Sequence, residues 1–164
     1  MTQKALIKDG KVCEDRYADV SGADAVPETG AVIVSLAQWE AGQDTLRGRD
    51  IGIRLRSDEP PERIAGDVSE FAVIALEFPV FRDGRAYSYA RILRDSYGYE
   101  GELRAVGDVL LEQLHFMLRV GFDAFELTAP DPEAAFRIAA EEFSAWYQPG
   151  ADERPTAMQL RMRD

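Results

Sequence analysis

Residues 71–98, "FAVIALEFPVFRDGRAYSYARILRDSYG", read as one strand-to-helix unit, and that reading decides the fold. "FAVIALEF" (71–78) is a candidate strand, and a helix follows over 84–97. At 100° per residue, Ala86, Ala90, Leu93 and Tyr97 share one face with Tyr89 beside them, while Ser88, Arg91 and Asp95 lie opposite. Gly98 stands where a helix C-cap belongs. Outward from this unit the same alternation recurs. "AVIVSL" (31–36) is a short apolar run rich in β-branched residues, which suits a strand covered on both faces. "IGIRL" (51–55), "ELRAV" (102–106) and "AFEL" (124–127) supply three further strands. Helical patterns occupy 37–47, 61–69, 108–120 and 132–147. Asp131-Pro132 gives the last of these an N-cap and a first-turn proline.

Strand-helix alternation predicts an α/β domain of about five mostly parallel strands, either an open doubly wound sheet or a partial barrel. "ALIKDGKVC" (5–13) predicts an N-terminal β-hairpin around Asp9-Gly10. The expected organisation is therefore hairpin and loop over 1–29, α/β core over 30–148, and a loose polar tail over 149–164. A chain of 164 residues is long enough for one such core without staples. The 108–120 helix reads as apolar on two sides, through Leu110, Leu114, Met117 and Leu118 on one and Val109, Phe116 and Val120 on the other. A helix apolar on two sides is either wedged between neighbouring elements or contributes to an interface, in which case a homodimer forms through it.

The net charge of −11 argues against nonspecific binding to nucleic acid or to an anionic membrane surface. A single cysteine, Cys13, excludes an intramolecular disulfide and a Cys-ligated iron–sulfur cluster within the chain. With one histidine, His115, no His/Cys metal site forms, and none is expected. The N-terminus lacks the apolar core of a signal peptide and no run approaches a membrane span, so a cytoplasmic location is expected. No G-x-G-x-x-G, P-loop or G-x-S-x-G stretch occurs, and "AQWEAG" after the first core strand is no flavodoxin-type phosphate cradle. No cofactor is predicted on these grounds, although they leave a flavin open.

Ligands of parallel α/β folds bind beyond the C-terminal ends of the strands. That rim receives Glu77, Arg82, Asp83 and Arg85 from one turn and Asp108 from another. Arg82 and Arg85 flank a helix start, which is already the positive end of a dipole, so they call for an anion. The candidates are a small oxyanion, a partner's carboxylate, or Asp83 itself. Tyr87 could stack on a planar ligand at the same rim, or pack against the sheet. Asp108 reads as an N-cap of the next helix, and Asp108 and Asp83 are the candidates for a general base. His115, two turns into its helix, reads as a surface or hydrogen-bonded side chain.

"FPVFRDGRAYSYARILRDSYGYEGELRAVGDVLLEQLHFMLRVGFDAFEL" (78–127) closely resembles the core of a bacterial family catalogued as domain of unknown function 934. The likeness rests on F-P-x-F-x-D-G-R, on Y-G-x-x-G-E-x-R-A-x-G-D-V and on G-F-D-x-F, with "VIVSLAQW" extending it towards Ala31. The resemblance implies a part in assimilatory sulfite reduction, because such proteins are labelled predicted oxidoreductases encoded beside sulfite reductase. Sulfite reduction takes six electrons through siroheme and a Cys-ligated iron–sulfur centre, which one cysteine outside the matching region does not supply. The expected function is thus an accessory of that pathway, binding a sulfur oxyanion, the sulfite reductase or another sulfur-assimilation enzyme through Arg82, Asp83, Arg85 and Tyr87. Its rivals are a small-molecule enzyme at the same rim and a flavin-dependent electron carrier to the reductase.

Overall fold

Chain order and sheet order nearly coincide in this protein. A computed structural model describes residues 4–152 and 154–162. Its elements run β1 (Ala5–Lys8), β2 (Lys11–Cys13), β3 (Ala18–Asp19), β4 (Val32–Ser35), α1 (Leu36–Leu46), β5 (Ile51–Leu55), β6 (Val73–Phe78) and α2 (Arg85–Arg91). They continue with β7 (Glu102–Gly107), α3 (Leu114–Val120), β8 (Ala124–Leu127), α4 (Pro132–Glu141) and α5 (Ala157–Arg161). The strands form one sheet in the order β2-β1-β8-β7-β6-β5-β4-β3. The expectation of about five mostly parallel strands is corrected to eight in a mixed sheet. The ladders from β3 through β8 are parallel, and β1 pairs antiparallel with both β2 and β8. The hairpin is therefore part of the sheet rather than a preface to it.

From β3 to β8 the order never reverses, so no topological switch point exists and the doubly wound alternative is excluded. One face carries the helices. Val32, Val34, Ile53, Leu55, Ile74, Leu76, Phe78, Leu103 and Phe125 alternate onto that face and bury Leu36, Trp39, Ala86, Ala90, Leu93, Leu114 and Met117 in a single core.

The other face is concave, and chain length shows why. Seven strand spacings of about 4.8 Å would separate β2 from β3 by about 34 Å in a flat sheet. Yet Cys13 and Ala18 are five residues apart, a reach of at most about 18 Å. The sheet must curl into a half-barrel, and residues 14–17 cross its open side as a strap. Asp15 binds Arg104 at 2.6 and 3.2 Å, Tyr17 packs on Ile33 and Val73, and the Tyr17 hydroxyl donates to Asp50 at 2.6 Å. Gly52 lies beneath, where a Cβ would meet Val73 at 2.9 Å and Ile33 at 3.0 Å.

Several helices differ from expectation. The 61–69 pattern folds as two 3-10 turns, Pro61–Ile64 and Val68–Glu70. α2 ends early because the chain widens into a π turn, Ile92–Ser96, with the Tyr97 amide donating to Ile92. The 108–120 segment starts later, as a 3-10 turn at Leu111–Gln113 followed by α3. Of its second apolar side, Val109 and Val120 pack against the core, as Leu111 and Leu118 also do, while Phe116 is exposed. The expected loose tail is largely ordered. Arg119 binds Asp152 and the Gln148 carbonyl, and Thr156 and Gln159 form a capping box for α5. Residues 1–3 of the expected hairpin segment, and 153, 163 and 164 of the tail, lie outside the described residues.

Candidate functional site

The C-terminal ends of the parallel strands form one rim, and the loop from β6 to α2 rises from it. Val80 and Phe81 on this loop are 52% and 54% exposed, beside Arg82, whose guanidinium lies 5.8 Å from the Phe81 ring centre. The loop is nonetheless held on several sides. The Phe81 amide donates to Asp108 Oδ2 at 3.1 Å and its carbonyl accepts from Gln113 Nε2 at 3.0 Å. The Asp83 amide donates to the Val80 carbonyl at 3.0 Å, and the Asp108 amide to the Phe78 carbonyl at 2.7 Å.

The anion that Arg85 calls for is Asp83. Asp83 Oδ1 accepts from the Arg85 amide and Nε at 3.2 and 3.0 Å, and Oδ2 accepts from Nη2 at 2.6 Å. That pairing, with further help from the Ser57 hydroxyl, holds the Asp83 carboxyl well below the usual range. Arg85 Nη2 also donates to Ser57 Oγ at 2.9 Å. Arg82 has no ion pair among the described residues. Tyr87 is half-buried, edge-on to Phe78 at 5.3 Å, and burial pushes its hydroxyl up to about 12. It packs the loop onto the sheet. Asp108 is not the expected N-cap, because Leu110 precedes the first helical turn. Gly107, at φ 94°, turns the chain so that Asp108 reaches back to the 79–84 loop.

Inside the half-barrel, above the strap, a pocket of about 620 Å³ opens on the same rim. Arg54 is its centre. It donates to Asp19 Oδ2 at 2.8 Å and faces Glu77 at 3.3–3.4 Å. Ser21, Ser35, Arg56 and Glu59 complete the wall. Burial acts to raise the Asp19 pKa, but hydrogen bonds from Ser21 and Arg54 outweigh it and hold the carboxyl below its ordinary value. Sequence reasoning placed Glu77 on the rim and missed Arg54 and Asp19. The available signal was the arginine interrupting the apolar run "IGIRL".

His115 is also unlike its expectation. It is buried among Phe116, Phe143 and Trp146, and neither ring nitrogen is hydrogen-bonded among the described residues. Burial lowers its pKa, opposed by the Glu142 carboxylate at 3.8 Å. Among the described residues no three His, Cys, Asp or Glu side chains converge as a metal-ligand set. No helix among the described residues is long and apolar enough to cross a membrane.

A family described as "Bacterial protein of unknown function (DUF934)" matches residues 52–158. The match takes in Arg54, Glu77, the 79–85 loop, Arg104 and Asp108, and leaves the strap and Asp19 outside. No curated protein matches the chain.

Proposed function

The chain belongs to the bacterial family of unknown function DUF934, and from that premise we propose that it is a non-catalytic accessory of assimilatory sulfite reduction that docks onto sulfite reductase through Val80, Phe81 and Arg82. The pathway comes from the family resemblance. The docking mode comes from the loop: two large apolar side chains stand in solvent beside a cation with no ion pair among the described residues, on backbone anchored by Asp108 and Gln113. An aromatic next to an arginine, presented rigidly, is the composition of a protein-binding hot spot. Because the loop is already held, little ordering entropy opposes binding.

A sulfur oxyanion draws less support from the same residues. Asp83 neutralises Arg85, which leaves only the exposed Arg82 for an anion at this turn. An enzyme using Asp83 as base is disfavoured too, since its pairing with Arg85 makes the carboxylate a weak proton acceptor. A flavin-dependent carrier would purify coloured, and an absorbance spectrum tests that reading directly. For a homodimer, Phe116 is the exposed apolar residue that α3 offers.

The proposal is tested by measuring binding of the purified protein to immobilised sulfite reductase, with Phe81→Ala and Arg82→Ala beside wild type. Each substitution is expected to weaken binding about tenfold or more without shifting the melting temperature, because both side chains are exposed. Absence of binding by wild type, or equal binding by both variants, overturns the reading.

A further inference from the structure

The concave face carries two arginines in one register row. Ser35, Arg54, Ala75, Arg104 and Ala124 lie side by side across β4 to β8. Arg104 and Arg54 sit on either side of Ala75 and point into the same interior, yet their surroundings differ. Arg104 is 1% exposed, sealed by the strap's Asp15 at 2.6 Å and by Glu102 at 2.8 Å. That is a finished structural ion cluster. Arg54 is 25% exposed and opens into the 620 Å³ pocket.

Its partnership is also incomplete. A guanidinium has five N–H donors. Arg54 directs Nη1 to Asp19 at 2.8 Å, but its approach to Glu77 is 3.3–3.4 Å, longer than a charge-assisted pair ordinarily adopts. Arg54 is the only partner Glu77 has in any side-chain hydrogen bond or ion pair among the described residues. A cation with spare donors and a carboxylate with spare lone pairs therefore face one cavity.

The charge balance then selects the ligand class. A simple anion entering the mouth would meet Asp19, Glu59 and Glu77. A simple cation would meet Arg54 and Arg56. A molecule carrying both charges a few ångströms apart satisfies both walls at once, with its carboxylate on the free Arg54 donors and its ammonium on Glu77. We propose that the mouth of the half-barrel is a binding site for a zwitterionic small molecule of the amino-acid class, held between Arg54 and Glu77. Ser35, whose oxygen caps α1, offers its hydroxyl proton to the same cavity, and Ser21, whose hydroxyl donates to Asp19 at 2.6 Å, lines it. This site is separate from the Val80–Arg82 loop, and it stands or falls independently of the docking reading.

The experiment titrates the full-length protein with the standard amino acids, following thermal shift and two-dimensional amide NMR. N-acetylated amino acids and decarboxylated amines serve as single-charge controls. At least one zwitterion is expected to raise the melting temperature saturably and to move the amides of Gly22, Ser35 and Ala37. Gly98 and Gly101, at the N-terminal end of β7, are expected to stay still, and the single-charge controls to do neither. Glu77→Gln, which keeps the shape and removes the charge, is expected to weaken the zwitterion about tenfold or more. No amide shift with any amino acid up to about 10 mM, a limit that leaves no measurable linkage to folding, overturns the proposal. So do shifts confined to other surfaces, or equal binding of an N-acetylated analogue. Should Glu77→Gln fail to fold, the wild-type amide map decides alone.

Discussion

Arg104 shows what a buried charge costs when its partners are supplied from far along the chain. Its guanidinium binds Glu102 on its own strand and Asp15 on the strap, 89 residues away. Replacing it with methionine keeps the bulk but strips the partly exposed Asp15 of its partner and leaves Glu102 with Lys8 alone. Losing charge-assisted hydrogen bonds of this kind costs about 1.5–3 kcal/mol, which for a chain of this size lowers the melting temperature by about 3–12 °C. Arg104→Met is therefore expected to melt several degrees below wild type, and an unchanged melting temperature would mean that the strap bears little load. Asp19 makes a smaller, pH-dependent contribution. Its folded carboxyl titrates below the ordinary value of 3.8, so its stabilisation is complete above that value and is lost as pH falls through the folded pKa. Being partly exposed, it contributes about 1 kcal/mol after solvent screening. Asp19→Asn should lower stability by that amount at pH 7 and flatten the acid side of the stability curve, as urea titrations at pH 7 and pH 3 would reveal.

At the scale of elements, the strand ends matter most. Gly107 closes β7 at φ 94°, and a Cβ there would run into the Phe78 carbonyl. Gly107→Ala is expected to cost about 2 kcal/mol or more and to release Asp108 from the Phe81 amide, seen as faster amide exchange at Phe81. The strands themselves were legible: 31–36 reads directly as a continuous apolar run, because a core strand covered on both faces leaves that mark, and 51–55 and 124–127 stand out as short strands between helical patterns. The helix after β7 was misread for a physical reason. A glycine followed by aspartate resembles a cap, but here the positive φ serves a turn and the aspartate holds the neighbouring loop. β3 was invisible because two residues carry no periodicity. Arg54 and Arg104 interrupt apolar strands, and only the curl of the sheet shows that both face an interior. A further pH effect belongs to the segment after α4. His115 lies under Phe143 and Trp146 with its pKa lowered by burial, the facing charge being Glu142, while Arg119 stacks on Trp146 at 4.8 Å. A histidine freed from that cover protonates near its ordinary 6.5, so the covering contact is strongest above that value and weakens as pH falls below it. Trp146 emission is expected to shift to the red between pH 7 and pH 5, and His115→Phe to abolish the shift.

Taken as a whole molecule, the half-barrel puts its two proposed surfaces on one rim: a polar mouth and an apolar loop beside it. Ser57 links them, since it accepts from Arg85 and Tyr89 while its neighbours Arg56 and Glu59 line the pocket. The helix side offers a third surface at Phe116. If α3 mediates a homodimer, Phe116→Glu converts it to monomer in light scattering, and an unchanged mass rules that interface out. The closure of the sheet also has a temporal side. β1 pairs with β8, so Ile7 must find Phe125, and Asp15 must find Arg104. During synthesis the first hairpin leaves the ribosome long before its neighbour exists, and its outer edge stays unpaired while most of the chain is made. Contacts of such long sequence separation form late in folding. Loosening the strap should therefore leave the folding rate nearly unchanged and accelerate unfolding, so the four residues 14–17 set how long the finished molecule lasts rather than how quickly it is made.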